Sequence, residues 1–259
     1  LRNEFWYEEG HKEPDLMSLL DLVALGTICD VVPLTGVNRA LVTQGLKVLA
    51  ARVNPGISAL ANVAGVDQPL DSYHAGFVLG PRVNAGGRVG DSGLGVRLLT
   101  THDPDEASAV AELLDNYNKE RQDIEQFVQE TALDQALEQA EDGRPLILVY
   151  REDWHPGVIG IVAGRLRERF NLPAIVVSFS EGLGKGSGRS VKGVALGPAV
   201  LAAHQAGILV NGGGHNMAAG FTVEEDKLND LRDYLEQHIL RQLEGVSIEP
   251  TLGVDGALS

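Results

Sequence analysis

The sequence predicts an α/β protein: a mostly helical first hundred or so residues, one long helix, then a small domain of alternating strands and helices. Three observations carry this. Apolar residues recur at helical spacing through the first part. A strong helix start at Asp103 is followed by no breaker before Gly143. After Gly143, short apolar runs alternate with amphipathic ones, the pattern of a sheet with packed helices.

Taken in order, Glu13–Ala24 repeats Leu16, Leu19, Leu20 and Val23 at helical spacing, with Pro14 near its start. Asn38–Ala51 is a second expected helix. Ser72–Leu79 is a third, ended by Gly80-Pro81. Asp91 or Ser92 is placed to cap a fourth that runs to Leu99. In Asp103-Pro104-Asp105-Glu106, Asp103 suits the N-cap, Pro104 the first helical position, and Glu106 the far side of a capping box. A helix over Pro104–Asp142 would span about 60 Å at 1.5 Å per residue. It reads as a connector between two domains or as a long surface helix. Pro145–Tyr150 follows as a buried strand, Gly157–Phe170 as a helix and Ala174–Phe179 as a strand. Gly186–Val191 is expected as a short strand edge, Leu196–Ala206 as a helix, Ala218–Val223 as a strand and Asp226–Leu243 as a helix. Thr251–Ser259 reads as the opening of a further element. Leu1 stands where a Met would open a chain, and the pattern is already under way, so the sequence reads as a piece of a longer protein.

At 44% hydrophobic and 22% charged residues, the composition is that of a globular chain. The longest apolar run, Leu22–Cys29, is closed by Asp21 and Asp30, far short of a membrane span. There is no signal-peptide pattern at the start. One cysteine, Cys29, excludes an internal disulfide and a Cys-based zinc cluster, which fits a reducing cytoplasm. The net charge of −15 argues against a generic DNA-coating protein. Its distribution is uneven. Residues 102–142 carry two basic and thirteen acidic side chains, whereas residues 144–220 carry eight and four. A positive island in an acidic chain would draw nucleic acid to that island alone.

The island holds two Gly-rich segments. In Gly184-Lys185-Gly186-Ser187-Gly188-Arg189-Ser190, glycines allow close approach of backbone N–H groups to an anion. Arg189 offers a planar donor fork, and Ser187 and Ser190 offer hydroxyls. A flexible hairpin accounts for the same residues. About 25 residues later, Gly212-Gly213-Gly214-His215 suggests backbone lying against a ligand, with His215 as a donor to phosphate or as a turn residue. Trp154-His155-Pro156-Gly157 precedes a helix, and Trp154 is placed either to stack on a base or to fill a core. Gly80–Arg88 (GPRVNAGGR) is a third polar, Gly-rich loop, with Arg82, Asn84 and Arg88; turn and substrate clamp fit it equally. Asp30 sits among apolar residues, where a carboxylate is costly unless paired or metal-bound. It is a helix cap or a metal ligand, and no neighbouring Asp or His cluster supplies partners.

Together these segments resemble the RecJ family of single-strand-specific DNA exonucleases, within the DHH phosphoesterase superfamily. The matching stretches are LVALGTICDVVPL (22–34), GPRVNAGGR (80–88), WHPGVIGIVAGRLRERF (154–170), GSGRS (186–190) and GGHNMAAG (213–220). The departures are small: Cys29 where Ala is common, Gly86 within the usual NAAGR, and Asn216 for a small residue. The resemblance implies that residues 1–102 are the C-terminal part of a DHH catalytic domain and 103–143 the connecting helix. Residues 144–245 would be the DHH-associated substrate-binding domain, and 246–259 the start of an OB-fold domain. Asp30 would be a ligand to Mn²⁺ or Mg²⁺, with the remaining catalytic metal ligands upstream of this chain. Ser187, Arg189, Ser190, Gly213, Gly214 and His215 would grip the strand, and Arg82, Asn84 and Arg88 would face it. The implied activity is 5′→3′ hydrolysis of single-stranded DNA in repair and recombination, in the cytoplasm, with single-stranded DNA and a single-strand-binding protein as candidate partners. The isolated chain would be inactive. Two alternatives stay open: a phosphodiesterase for oligonucleotides or cyclic dinucleotides, and a non-catalytic nucleic-acid-binding module.

Overall fold

The computed structural model describes residues 14–244 and residue 254. Apart from Val254, the element expected over Thr251–Ser259 and the OB-fold start at 246–259 lie outside the described residues. The chain divides into two compact units, one up to Arg121 and one from Gln122 onward. Among the described residues no helix is long and apolar enough to cross a membrane.

In the first unit, α1 (Leu20–Cys29), α2 (Gly36–Ala51), α3 (Pro55–Val63), a π-helical stretch (His74–Leu79), α4 (Gly80–Val89) and α5 (Leu94–Thr100) precede α6 (Pro104–Glu141). The helix expected over Glu13–Ala24 starts instead at Leu20. Asp15 accepts the Met17 N–H at 3.0 Å and holds a turn ahead of it, and Leu16 and Leu19 are exposed rather than part of a buried stripe. No helix was expected over Pro55–Val63. Asn54 caps it by accepting the Ile57 N–H at 3.2 Å, and Pro55 occupies its first turn.

The expected stop at Gly80-Pro81 does not occur. The π-helical stretch runs directly into α4, so GPRVNAGGR is helix and not loop. Its glycines serve close packing. A Cβ on Gly80 would lie 2.4 Å from Cys29 Sγ, and one on Gly86 2.3 Å from the Asp91 carbonyl oxygen. Each interior Gly costs a helix about 1 kcal/mol relative to Ala; here the tight contact is possible only without a side chain.

The long helix α6 ends one residue short of the expected Asp142. Asp103 caps it, accepting the Asp105 N–H at 2.9 Å. The second half of the capping box does not form. Glu106 instead binds Arg97 at 2.6 Å and accepts the Thr101 hydroxyl, while the Asp103 N–H donates to Thr101 Oγ1. The two ends of α6 serve separate cores. Ala107, Val110, Ala111 and Leu114 pack with Leu49, Ile57, Leu60 and Leu98. Val128, Ala132 and Ala136, themselves part of the second unit, pack within its core.

The second unit contains β1 (Ile147–Glu152), α7 (Ile159–Phe170), β2 (Ala174–Ser180), β3 (Leu183–Arg189), α8 (Leu196–Gln205), β4 (Asn211–His215), β5 (Ala218–Glu224) and α9 (Leu228–Gln242). The sheet order is β1-β2-β3-β5-β4, with β1 and β2 parallel and the other pairs antiparallel. On one face Leu148, Ile175, Val177, Phe179, Phe221 and Val223 meet Val200 of α8 and Leu231, Leu235 and Ile239 of α9. On the other, Ile147, Val149, Ala174 and Val176 meet α7, Trp154 and the end of α6. The outer edge of β1 is covered by α6. Gln139 exchanges two hydrogen bonds with the Leu148 backbone at 2.9 Å each, and Gln135 exchanges two with the Tyr150 backbone at 3.0 and 3.1 Å.

Two expectations are corrected here. The segment expected as a short strand edge is β3, a seven-residue strand in the interior of the sheet. The Gly212–His215 run, expected as backbone lying against a ligand with no strand assigned, is the edge strand β4. Glycine is a poor strand former because it offers nothing to pack. Here the neighbours fill the space: a Cβ on Gly186 would sit 2.2 Å from Phe221 Cζ, one on Gly184 2.6 Å from Phe179 Cε1, and one on Gly188 2.6 Å from Leu196 Cδ2.

Candidate nucleic-acid interface

Alternation along β3 sends Gly184, Gly186 and Gly188 into the core and Lys185, Ser187 and Arg189 to the opposite face. The register extends that face across the next two strands. Lys185 is opposite Thr222, which is opposite Asn211. Ser187 is opposite Gly220, then Gly213. Arg189 is opposite Ala218, then His215. The result is a three-by-three grid about 13 Å along the strands and 10 Å across them. It has cationic or polar groups at its rim and no side chain at its centre. A Cβ on Gly213 would meet nothing within 4 Å, and one on Gly220 only the Gly186 carbonyl oxygen at 3.8 Å. Ligand backbone can therefore lie directly on the sheet.

The grid is bounded on its β2 side. The Trp154 carbonyl accepts the Ser178 hydroxyl, and α7 passes over β2 to β3. A Cβ on Gly160 of α7 would lie 3.0 Å from Ser187 Oγ and 3.1 Å from Arg189 Nη2, so this glycine leaves room for those two side chains. Arg189 is half-buried, and its Nη1 donates to Ser187 Oγ at 3.2 Å and to the Gly188 carbonyl at 2.9 Å. These contacts hold the guanidinium over the sheet.

Of the residues the sequence singles out, Ser187, Arg189, Gly213 and His215 share this face. Ser190 does not: it is 1% exposed, and its hydroxyl donates to the Val194 carbonyl at 2.7 Å. Gly214 is needed for packing, since a Cβ there would lie 2.3 Å from the Ala218 carbonyl oxygen. Trp154 is a core residue, 2% exposed, with Nε1 donating to Thr131 Oγ1 at 3.1 Å, and is not placed to stack on a base. Lys185, Thr222, Asn211 and Gly220 join the face without having been singled out. The period-two spacing of Lys185, Ser187 and Arg189 was the available signal, masked by the glycines between them, which weaken a strand pattern.

In the first unit, Asp30 follows the last turn of α1 and is exposed, so it bears no burial cost. The thiol beside it is different: burial, aided by the Asp30 charge, pushes the Cys29 pKa up. Among the described residues no three His, Cys, Asp or Glu side chains gather as a metal-holding group. Arg82 is engaged within the unit. Its Nε donates to Asp115 Oδ1 at 2.8 Å and its Nη1 to the Val78 carbonyl at 2.8 Å. Lys119 reaches the other Asp115 oxygen at 2.7 Å. Burial alone would raise the Asp115 pKa, but the hydrogen bonds from Lys119 and Arg82, with their charges, outweigh it and hold the carboxyl below its ordinary value. Asn84 and Arg88, one helical turn apart on α4, are both exposed on one face.

Residues 143–240 match the DHHA1 domain family. The single-stranded-DNA-specific exonuclease RecJ of Dickeya dadantii (strain 3937) is 41% identical over 268 residues, covering all of this chain and 46% of that protein. The chain is similar to RecJ along its whole length. RecJ of Escherichia coli (strain K12) is likewise 41% identical, with the same coverage. The crystal structure of RecJ in complex with Mg²⁺ from Thermus thermophilus has a TM-score of 0.79 at 33% identity, over 91% of this chain and 36% of that one. The structure of exonuclease RecJ bound to manganese has a TM-score of 0.76 at 32% identity, over 94% and 60%. The expected α/β class is thus the fold of solved RecJ structures. The chain spans just under half the length of the curated RecJ relatives it matches most fully.

Proposed function

We propose that this chain is the strand-holding part of a metal-dependent exonuclease that degrades single-stranded DNA 5′→3′ in cytoplasmic repair and recombination. The grid on β3, β5 and β4 carries the reading. It joins the Arg189 guanidinium, the Ser187 hydroxyl and a glycine floor on an otherwise acidic chain, which suits a single nucleic-acid backbone pressed against a sheet. We assign residues 1–102 to a DHH catalytic domain, 103–143 to a connecting helix, 144–245 to the DHH-associated domain and 246–259 to an OB-fold start. Arg82 is assigned to holding α4 on α6; Asn84 and Arg88 remain the strand-facing pair of the first unit.

Asp30, exposed and unburdened by burial, suits one ligand of a Mn²⁺ or Mg²⁺ site that would polarise the phosphodiester. One carboxylate does not fit a complete two-metal site, and the described residues offer no three-group cluster. The isolated chain should therefore bind but not cut. Arg189→Ala should weaken binding of single-stranded oligothymidylate and flatten the log–log salt slope by about 0.7, one phosphate contact. An unchanged slope would remove Arg189 from the site. Hydrolysis by the purified chain with Mn²⁺, lost in Asp30→Ala, would overturn the claim of inactivity.

A further inference from the structure

The row formed by Lys185, Thr222 and Asn211 is not needed to hold one phosphate at Arg189 and Ser187, yet it lies on the same face and in the same register. We propose that it is a further phosphate position, so that bound single-stranded DNA runs along β3 and β5 rather than across the sheet. This rests on the proposed strand-holding function of the grid.

Three features set the direction. Successive rows are about 6.7 Å apart, two strand residues, on the scale of one extended nucleotide. Arg189 and Ser187, whose side chains meet at 3.2 Å, thus present donors to one phosphate above the bare Gly220 and Gly213, and Lys185 presents a donor to the next, one row further on. Running across the sheet is closed on one side, where α7 and the Trp154 loop cover β2. On the other side the sheet ends at β4.

The path also has an end. In the row beyond Lys185, Leu183 is opposite Glu224. An open cleft there is lined by Glu181, Glu224, Glu225 and Asp226. A third phosphate continuing straight would meet this acidic rim, so the strand must leave the sheet after Lys185. The grid holds two phosphates and repels the next.

The test uses the 259-residue chain with oligothymidylates of two and four nucleotides, carrying one and three phosphodiesters, in NMR-detected titrations at several salt concentrations. Lys185→Ala and Thr222→Val should leave dinucleotide affinity unchanged and remove most of the gain from two to four nucleotides. For Lys185→Ala the tetranucleotide salt slope should fall by about 0.7, so that the loss between 50 and 200 mM salt shrinks by about 2.6-fold. Equal weakening of both oligonucleotides, or of neither, by Lys185→Ala would overturn the inference. If Arg189→Ala still weakened both, the strand-holding function would stand without the further position. If neither variant changed any affinity, both would fall.

Discussion

The glycines of the two Gly-rich segments divide into two kinds, and substituting them separately distinguishes core packing from ligand contact. A methyl group at Gly186 would lie 2.2 Å from Phe221 Cζ and 2.3 Å from Cε2. Ordinary carbon contacts are about 3.5–4.0 Å, so the ring would have to move by more than an ångström. Phe221 is buried among Val200, Val223 and their neighbours and has no open side to move into. Overpacking of this kind costs about 1–3 kcal/mol, and the severity of the overlap places Gly186→Ala at about 2–3. For a protein of this size that lowers Tm by roughly 4–12 °C. At Gly213 the same methyl meets nothing within 4 Å, and the backbone is not in the left-handed region. Gly213→Ala should therefore leave stability unchanged or raise it by up to about 1 kcal/mol, through the unfolded chain. It would put a side chain into the bare middle row of the grid, beside Gly220, and affinity for an eight-nucleotide oligothymidylate should fall about tenfold or more, about 1.4 kcal/mol. Urea denaturation and calorimetry give the stabilities, and titration with the oligonucleotide gives the affinity. The reasoning is refuted if Gly186→Ala is as stable as the parent, or if Gly213→Ala loses stability while binding normally.

Two further variants probe the frame around the site. Arg82→Ala strips the buried Asp115 of one partner and should cost about 2 kcal/mol in urea denaturation. Because the folded Asp115 pKa lies below 3.8, its stabilisation is complete above that pH and is lost as pH falls below it. The variant should accordingly lose less stability than the parent on acidification in that range. Replacing Gln135 and Gln139 together by Ala removes four hydrogen bonds to the outer edge of β1. About 1–3 kcal/mol of stability should go with them, and size-exclusion chromatography should show self-association through the uncovered strand edge. A monodisperse double variant would show that the glutamines do not protect that edge.

The features legible in the sequence were those whose cause lies within a few residues. The start of α6 was readable because an acidic cap and a proline act on the backbone beside them, and its length because nothing interrupts it before Gly143. The strands β1 and β2 announce themselves as continuous apolar runs because both of their faces are covered. The π-helical stretch and α4 were missed because their glycines look like breakers. What makes them helical is contact with Cys29 and with the Asp91 carbonyl, neither inferable from local propensity.

The candidate site shows the same division. Composition and the two Gly-rich motifs located a positive, anion-seeking region between residues 184 and 220, and family resemblance named its chemistry. Both are properties of residue type and order along the chain. Which of those residues face a ligand was decided by pairing of β3 with β5 and of β5 with β4. That register places Arg189 in one row with His215, and Lys185 in one row with Asn211, across 26 positions of sequence. It also turns Gly184, Gly186 and Gly188 inward, and the turn after β3 buries Ser190. A one-residue slip would reverse every one of these assignments, which is why the tertiary structure alone separates the residues that can hold a strand from those that hold the sheet together.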